Sequence, residues 1–190
     1  MKGKTVGFAM CGSFCTFKKA IEQMKALKDE GYNILPIMSF NAYCTDTRFA
    51  KASDVISQIE EISQNNVVHT IADAEPIGPK KLCDILLVAP CTGNTLAKLS
   101  LGVTDTPVTM ALKSHLRINR PVVLSIATND GLGASAKNIG ELMNTKHIYF
   151  VPFSQDDPKL KPKSLVSNFS LVSETVKFAL ENKQIQPIIF

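Results

Sequence analysis

Short apolar runs recur along the chain, with segments of helical period between them. Thr5–Met10, Asn33–Met38 and residues 67–71, 84–89, 121–127 and 148–152 read as six strands, because they are short, apolar and set off by turn-forming or polar residues. The ILLVA run inside 84–89 has no polar alternation, so this strand is expected to be covered on both faces. Phe17, Ala20, Ile21, Met24 and Leu27 follow the three-and-four spacing of one helix face, which Gly31 can stop. The same spacing returns at Ala52, Val55, Ile56, Ile59 and Ile62, and again at Leu165, Phe169, Val172, Val176 and Ala179. Strands alternating with helices need crossovers on both faces of a parallel sheet. The expected fold class is therefore α/β: a doubly wound, mostly parallel six-stranded sheet in a Rossmann-like three-layer αβα arrangement, with residues 1–190 forming one domain.

Two stretches depart from that rhythm. Residues 153–163, FSQDDPKLKPK, are polar and carry two prolines, which suits a surface loop, a lid or an interface segment. The apolar end at 185–190 is expected to dock on its own domain or on a neighbour, and the second option favours a homo-oligomer. Charge adds little. The formal net charge is +4, only Arg48, Arg117 and Arg120 among 21 basic residues are arginines, and no block of like charge occurs. Such a surface is merely solvated, so no nucleic-acid partner is expected. No apolar run reaches membrane-spanning length and the first residues lead straight into a strand, so a cytoplasmic protein without membrane contact is expected. Cys11, Cys15, Cys44, Cys83 and Cys91 form an odd set suited to reduced thiols, and no metal site is expected.

Ligands of open α/β sheets bind beyond the carboxyl ends of the strands, where helix N-termini expose unpaired N–H groups. After the first predicted strand, Gly12 permits close backbone approach, and Ser13 can cap a helix or bond a phosphate oxygen. The GxGxxG pattern of dinucleotide sites is missing. After the fourth predicted strand, Thr92, Gly93, Asn94 and Thr95 gather hydroxyl, amide and backbone donors at a helix start, which is what a phosphate monoester requires.

DILLVAP at 84–90, TGNTLAKL at 92–99 and GVTD at 102–105 resemble the flavoprotein superfamily of FMN-containing decarboxylases and prenyltransferases. Seven ordered blocks extend the likeness over nearly the whole chain: KGKTVGFAMCGSFCTF, MSFNAYCTDTRF, AEPIGPKK, APCTGNTLAKL, TDTPVTMALK, NRPVVLSIATNDGLG and VPFSQDDPKLKPKS. They are similar to one subunit family of spore-forming bacteria within that superfamily. This resemblance implies an oxidoreductase made of two different subunits in the mother cell. There a cyclic dihydro precursor loses two electrons to become a small anionic pyridine diacid, and NAD(P) sits on the companion subunit.

The resemblance further implies a phosphate position between Gly12, Ser13, Ser39, Thr92, Asn94 and Thr95. FMN is thus a possible cofactor, although the same position suits a nucleotide end or a substrate carboxylate. Decarboxylating relatives carry Pro-x-Met-Asn after the fifth strand. Here the sequence is Ala127-Thr128-Asn129-Asp130, so only Asn129 matches, and cysteine-decarboxylase chemistry is not carried over. The readings that remain are a synthase subunit, an FMN-dependent decarboxylase- or prenyltransferase-like flavoenzyme, and a non-catalytic scaffold for the companion subunit.

A dianionic substrate asks for fork-shaped cations, and Arg48 follows the second strand on the ligand edge. Arg117 and Arg120 fall at the opposite edge. Asp130, at a strand end, is the candidate base or the group that orients one, although Asn-Asp-Gly is also common turn chemistry. His69, His115 and His147 read as structural, and Cys11, Cys15 and Cys91 as small residues lining the pocket.

Overall fold

The computed structural model describes residues 3–190. Its strands are β1 (Thr5–Met10), β2 (Asn33–Met38), β3 (Ile85–Cys91), β4 (Val122–Thr128), β5 (Ile148–Phe150), β6 (Phe153–Asp157) and β7 (Lys161–Ser167). Its α-helices are α1 (Phe17–Asp29), α2 (Phe40–Cys44), α3 (Ala52–Ser63), α4 (Ile71–Ala74), α5 (Gly93–Ser100), α6 (Pro107–Leu116), α7 (Ala136–Met143) and α8 (Val172–Leu180). They build the mostly parallel, helix-flanked sheet that the alternation predicts, with strand order β2-β1-β3-β4-β7-β6 and β5 paired to β4. All seven residues of β3 are buried, as its unbroken apolar run requires. One face of the sheet packs on α1, α3 and α8 through Phe8, Met24, Ile59 and Val176, and the other on α5 and α6 through Val88, Leu96 and Leu112.

The sheet has seven strands, not six, and two readings are corrected. Residues 67–71 do not form a strand: Val68 alone bridges β2, and α4 begins at Ile71, capped by Thr70. Pro36 O accepts from Val68 N and Met38 N donates to Val68 O, each at 2.9 Å, and the pairing ends there: beyond Ser39 the partner strand has turned into α2, and on the other side Pro36 has no N–H to offer Asn66. Residues 153–163 are not a loop: they enter the antiparallel hairpin β6–β7. Asp157 Oδ1 closes its turn by accepting from Lys159 N and Leu160 N, each at 3.0 Å. Pro162 falls where the register shifts, and Gln155 Nε2 donates to its carbonyl at 2.9 Å. Leu165, grouped above with a helix face, therefore lies in β7, and α8 starts at Val172.

β5 pairs with the first half of β4 in parallel, and β7 with Ala127 and Thr128 in antiparallel fashion. The hairpin thus stands above the short β5 at the carboxyl end of the sheet. The tail docks on its own chain, with Phe153 N donating to Ile188 O at 2.9 Å.

Candidate functional site

The β1–α1 loop, the mouth of α5, the turn after β4 and the hairpin enclose a cavity of about 700 Å³ at the carboxyl ends of the parallel strands. Gly12, Ser13, Phe14, Cys15 and Thr16 line it from the first loop, and Thr92, Gly93 and Asn94 from the second. Ala127, Thr128, Asn129 and Asp130 close the end of β4. Lys19 reaches in from α1, and Arg48 and Phe49 from the segment before α3. The hairpin adds Asp156, Lys161, Ser164, Leu165 and Val166.

Gly12, Ser13, Arg48, Thr92, Gly93, Asn94, Asn129 and Asp130 are therefore brought together as the sequence suggests, whereas Ser39 and Thr95 are not. Ser39 spends its hydroxyl on capping α2, accepting from Ala42 N at 3.3 Å. Thr95 is buried, and its hydroxyl donates to Cys11 Sγ at 3.1 Å, which ties α5 to the end of β1. Thr92 caps α5 by accepting from Thr95 N at 3.4 Å. Ser13 makes no side-chain cap.

Two features suit the mouth of α5 to a phosphate. The first-turn N–H groups of Gly93 and Asn94 have no partner within a helix, and they point out of its positive end. A β-carbon at Gly93 would come within 2.6 Å of Ser135 Oγ and Thr128 Oγ1, so only glycine admits this approach of α5 to the β4 turn. The donors here are neutral. Cationic groups come instead from Lys19, Arg48 and Lys161.

Asp130 Oδ1 accepts from Thr128 Oγ1 at 2.5 Å and from Ser135 Oγ at 2.8 Å. The Thr128 hydroxyl first, and then that of Ser135, hold its carboxyl below the usual range, which stabilises the anion and weakens it as a base. The backbone carbonyl of Asp130 also accepts from Gly133 N and Ser135 N, so the residue anchors the turn leading to α7.

Of the three cysteines expected to line the cavity, only Cys15 does so. Cys11 and Cys91 are buried, and burial pushes the Cys11 thiol up to about 11 and that of Cys91 well above its ordinary value. Neither is a ready nucleophile. His69 stacks on Tyr43 at 4.0 Å, and none of the three histidines lines the cavity. Arg117 and Arg120 pair with Glu75 and Asp84 at 3.8 and 3.9 Å. Lys98 pairs with Asp105 at 2.8 Å, and Thr106 and Thr109 form the capping box of α6 with Pro107 in its first turn. Among the described residues no group of three His, Cys, Asp or Glu could hold a metal ion, and no helix is long and apolar enough to cross a membrane.

The sequence reading missed the hairpin wall. The turn-forming Asp157-Pro158 pair before the mixed run Ser164-Leu165-Val166 was its available signal.

A mostly parallel sheet with a cavity between its strand-end loops defines an α/β protein with a small-molecule site, and the Flavoprotein family model matches residues 1–169: the chain belongs to that family. Within it, the chain is 43% identical over 189 residues to the B subunit of dipicolinate synthase from Bacillus subtilis (strain 168), covering 100% of this chain and 94% of the relative. The crystal structure of the B subunit of dipicolinate synthase from Bacillus halodurans superposes with a TM-score of 0.91 at 42% identity, covering 100% of this chain and 97% of the other. The FMN-dependent cysteine decarboxylase SpaF shares the fold at 20% identity, with a TM-score of 0.66 over 95% of this chain and 97% of its own.

Proposed function

We propose that this chain is the diacid-binding subunit of a dipicolinate synthase and works with a companion, the A subunit, that carries NAD(P). Full-length identity of 43% to a B subunit carries the reading, because the similarity spans every loop that lines the cavity. The pair oxidises a cyclic dihydrodipicolinate-type precursor: one hydride passes to the nicotinamide, one proton passes to a base, and the ring becomes aromatic. This chain contributes the binding geometry. Arg48 has its guanidinium 4.9 Å from the centroid of the Phe49 ring and grips one carboxylate. Asp130 holds the turn that presents Asn129 and Thr128, an orienting role that agrees with its lowered pKa.

The donor set also fits FMN. Gly12, Ser13, Thr92, Gly93 and Asn94 would hold its phosphate, with Asn129 near the end of β4. When bound, the flavin supplies two-electron redox chemistry. The decarboxylase reading has less support, since Ala127-Thr128-Asn129-Asp130 stands where Pro-x-Met-Asn is needed.

The test is reconstitution. The companion subunit, precursor and nucleotide should give little product until this chain is added, and Arg48→Ala should lower kcat/KM by roughly 100-fold, as loss of a charged grip implies. Full turnover by the isolated companion would end the reading. Undiminished activity with Arg48→Ala would reduce this chain to a scaffold.

A further inference from the structure

Lys19, Arg48 and Lys161 reach the cavity from α1, the segment before α3 and β7, and only Arg48 of the three is a candidate by sequence alone. Two carboxylates face them. Asp130 is already satisfied by the hydroxyls of Thr128 and Ser135. Asp156 is held by Lys161, with Nζ 2.7 Å from Oδ2 across the hairpin. Among the described residues neither Lys19 nor Arg48 has an ion-pair partner.

A diacid has two anionic ends and needs two cationic grips. Arg48 offers one. Lys161 is better prepared than Lys19 to offer the other, because β7 is bonded to β4 at Ala127 and Thr128, and Ser164 Oγ donates to Thr128 O at 3.2 Å. Both lysines are exposed, but the Lys161 ammonium is already held at the cavity wall by a carboxylate, whereas Lys19 on α1 has no ion-pair partner among the described residues and would lose more side-chain freedom on binding.

We propose that Lys161 reads the second carboxylate of the diacid, and that Asp156 is an internal carboxylate which the ligand displaces from it. This rests on the diacid-binding reading above. Exchanging one carboxylate for another keeps the ammonium paired, so little is lost in the swap. The Lys161–Asp156 pair is half-exposed, and pairs of that kind are weak enough to yield.

The experiment is calorimetric titration of the full chain with pyridine-2,6-dicarboxylate and with pyridine-2-carboxylate. The unaltered chain should prefer the diacid by about tenfold or more, as one charge-assisted hydrogen bond implies. Lys161→Met should remove that preference while leaving monoacid affinity within about twofold, Lys161→Arg should restore it, and Asp156→Asn should tighten the diacid by roughly threefold. A preference that survives Lys161→Met, while the reconstituted pair still makes product, overturns this inference and spares the synthase reading. Failure of the unaltered chain to bind either acid overturns both.

Discussion

At Gly93 a β-carbon would touch three groups that already hold one another: Ser135 Oγ, Thr128 Oγ1 and Asp130 Oδ1, at 2.6, 2.6 and 2.8 Å. None of them can retreat without giving up a hydrogen bond. Gly93→Ala should therefore cost about 1–3 kcal/mol of stability, read from the urea midpoint, and should weaken inorganic phosphate or FMN binding measured by titration. Thr95 carries a different lesson at this scale. Its type and place suit an anion cradle, yet its hydroxyl is turned to Cys11 and seals the core instead. A helix start is legible in a sequence, but which of its hydroxyls face outward depends on what stands behind the helix.

Among elements, the hairpin and α6 show where pattern reading succeeds and where it stops. The capping box of Thr106 and Thr109 with Pro107 in the first turn makes the start of α6 readable from adjacent residues. The β6–β7 hairpin is harder to read, because Phe153–Asp157 is held by partners as far off in the chain as Ser167, and its exposed side chains look like those of a loop. The packing of α6 on the turn before β3 is also invisible in the sequence. There a β-carbon on Gly78 would lie 1.8 Å from the Ser114 carbonyl oxygen, and Gly78 N donates to Ser114 Oγ at 3.0 Å. Backbone cannot step aside as a side chain can. Gly78→Ala should cost about 3 kcal/mol or more, measured by thermal or urea unfolding, whereas Gly140→Ala, with nothing nearby, should be neutral or stabilising.

For the molecule as a whole, pH acts through a buried contact between α6 and the sheet. His115 Nδ1 lies 3.7 Å from Cys83 Sγ, and Nε2 lies 3.2 Å from the Pro121 carbonyl. Burial first, and then the charge of Arg120, lowers the imidazole pKa from 6.5 to about 4. Below about pH 6.5 the unfolded chain gains a proton that the folded chain refuses until about pH 4, so stability is complete above that window and falls as acid is added. The drop should be about 3 kcal/mol. Urea midpoints at about pH 7.5 and about pH 4.5 should reveal it, and His115→Gln should flatten the dependence; equal slopes in both proteins would show that His115 is not the sensor. From the sequence alone came the α/β class, the position of β1 and β2 to the residue, and the loops that bear Gly12, Thr92 and Asn94, since apolar period and turn chemistry are local properties. The tertiary structure decided the rest: that 67–71 would keep a single bridge to β2 because the partner strand turns into α2 after Ser39, that a polar stretch would rise as a wall beside β4, and that Lys161 and Arg48 would line one cavity. Those outcomes depend on hydrogen bonds and charges from residues far apart in the chain, and no window along it contains both partners.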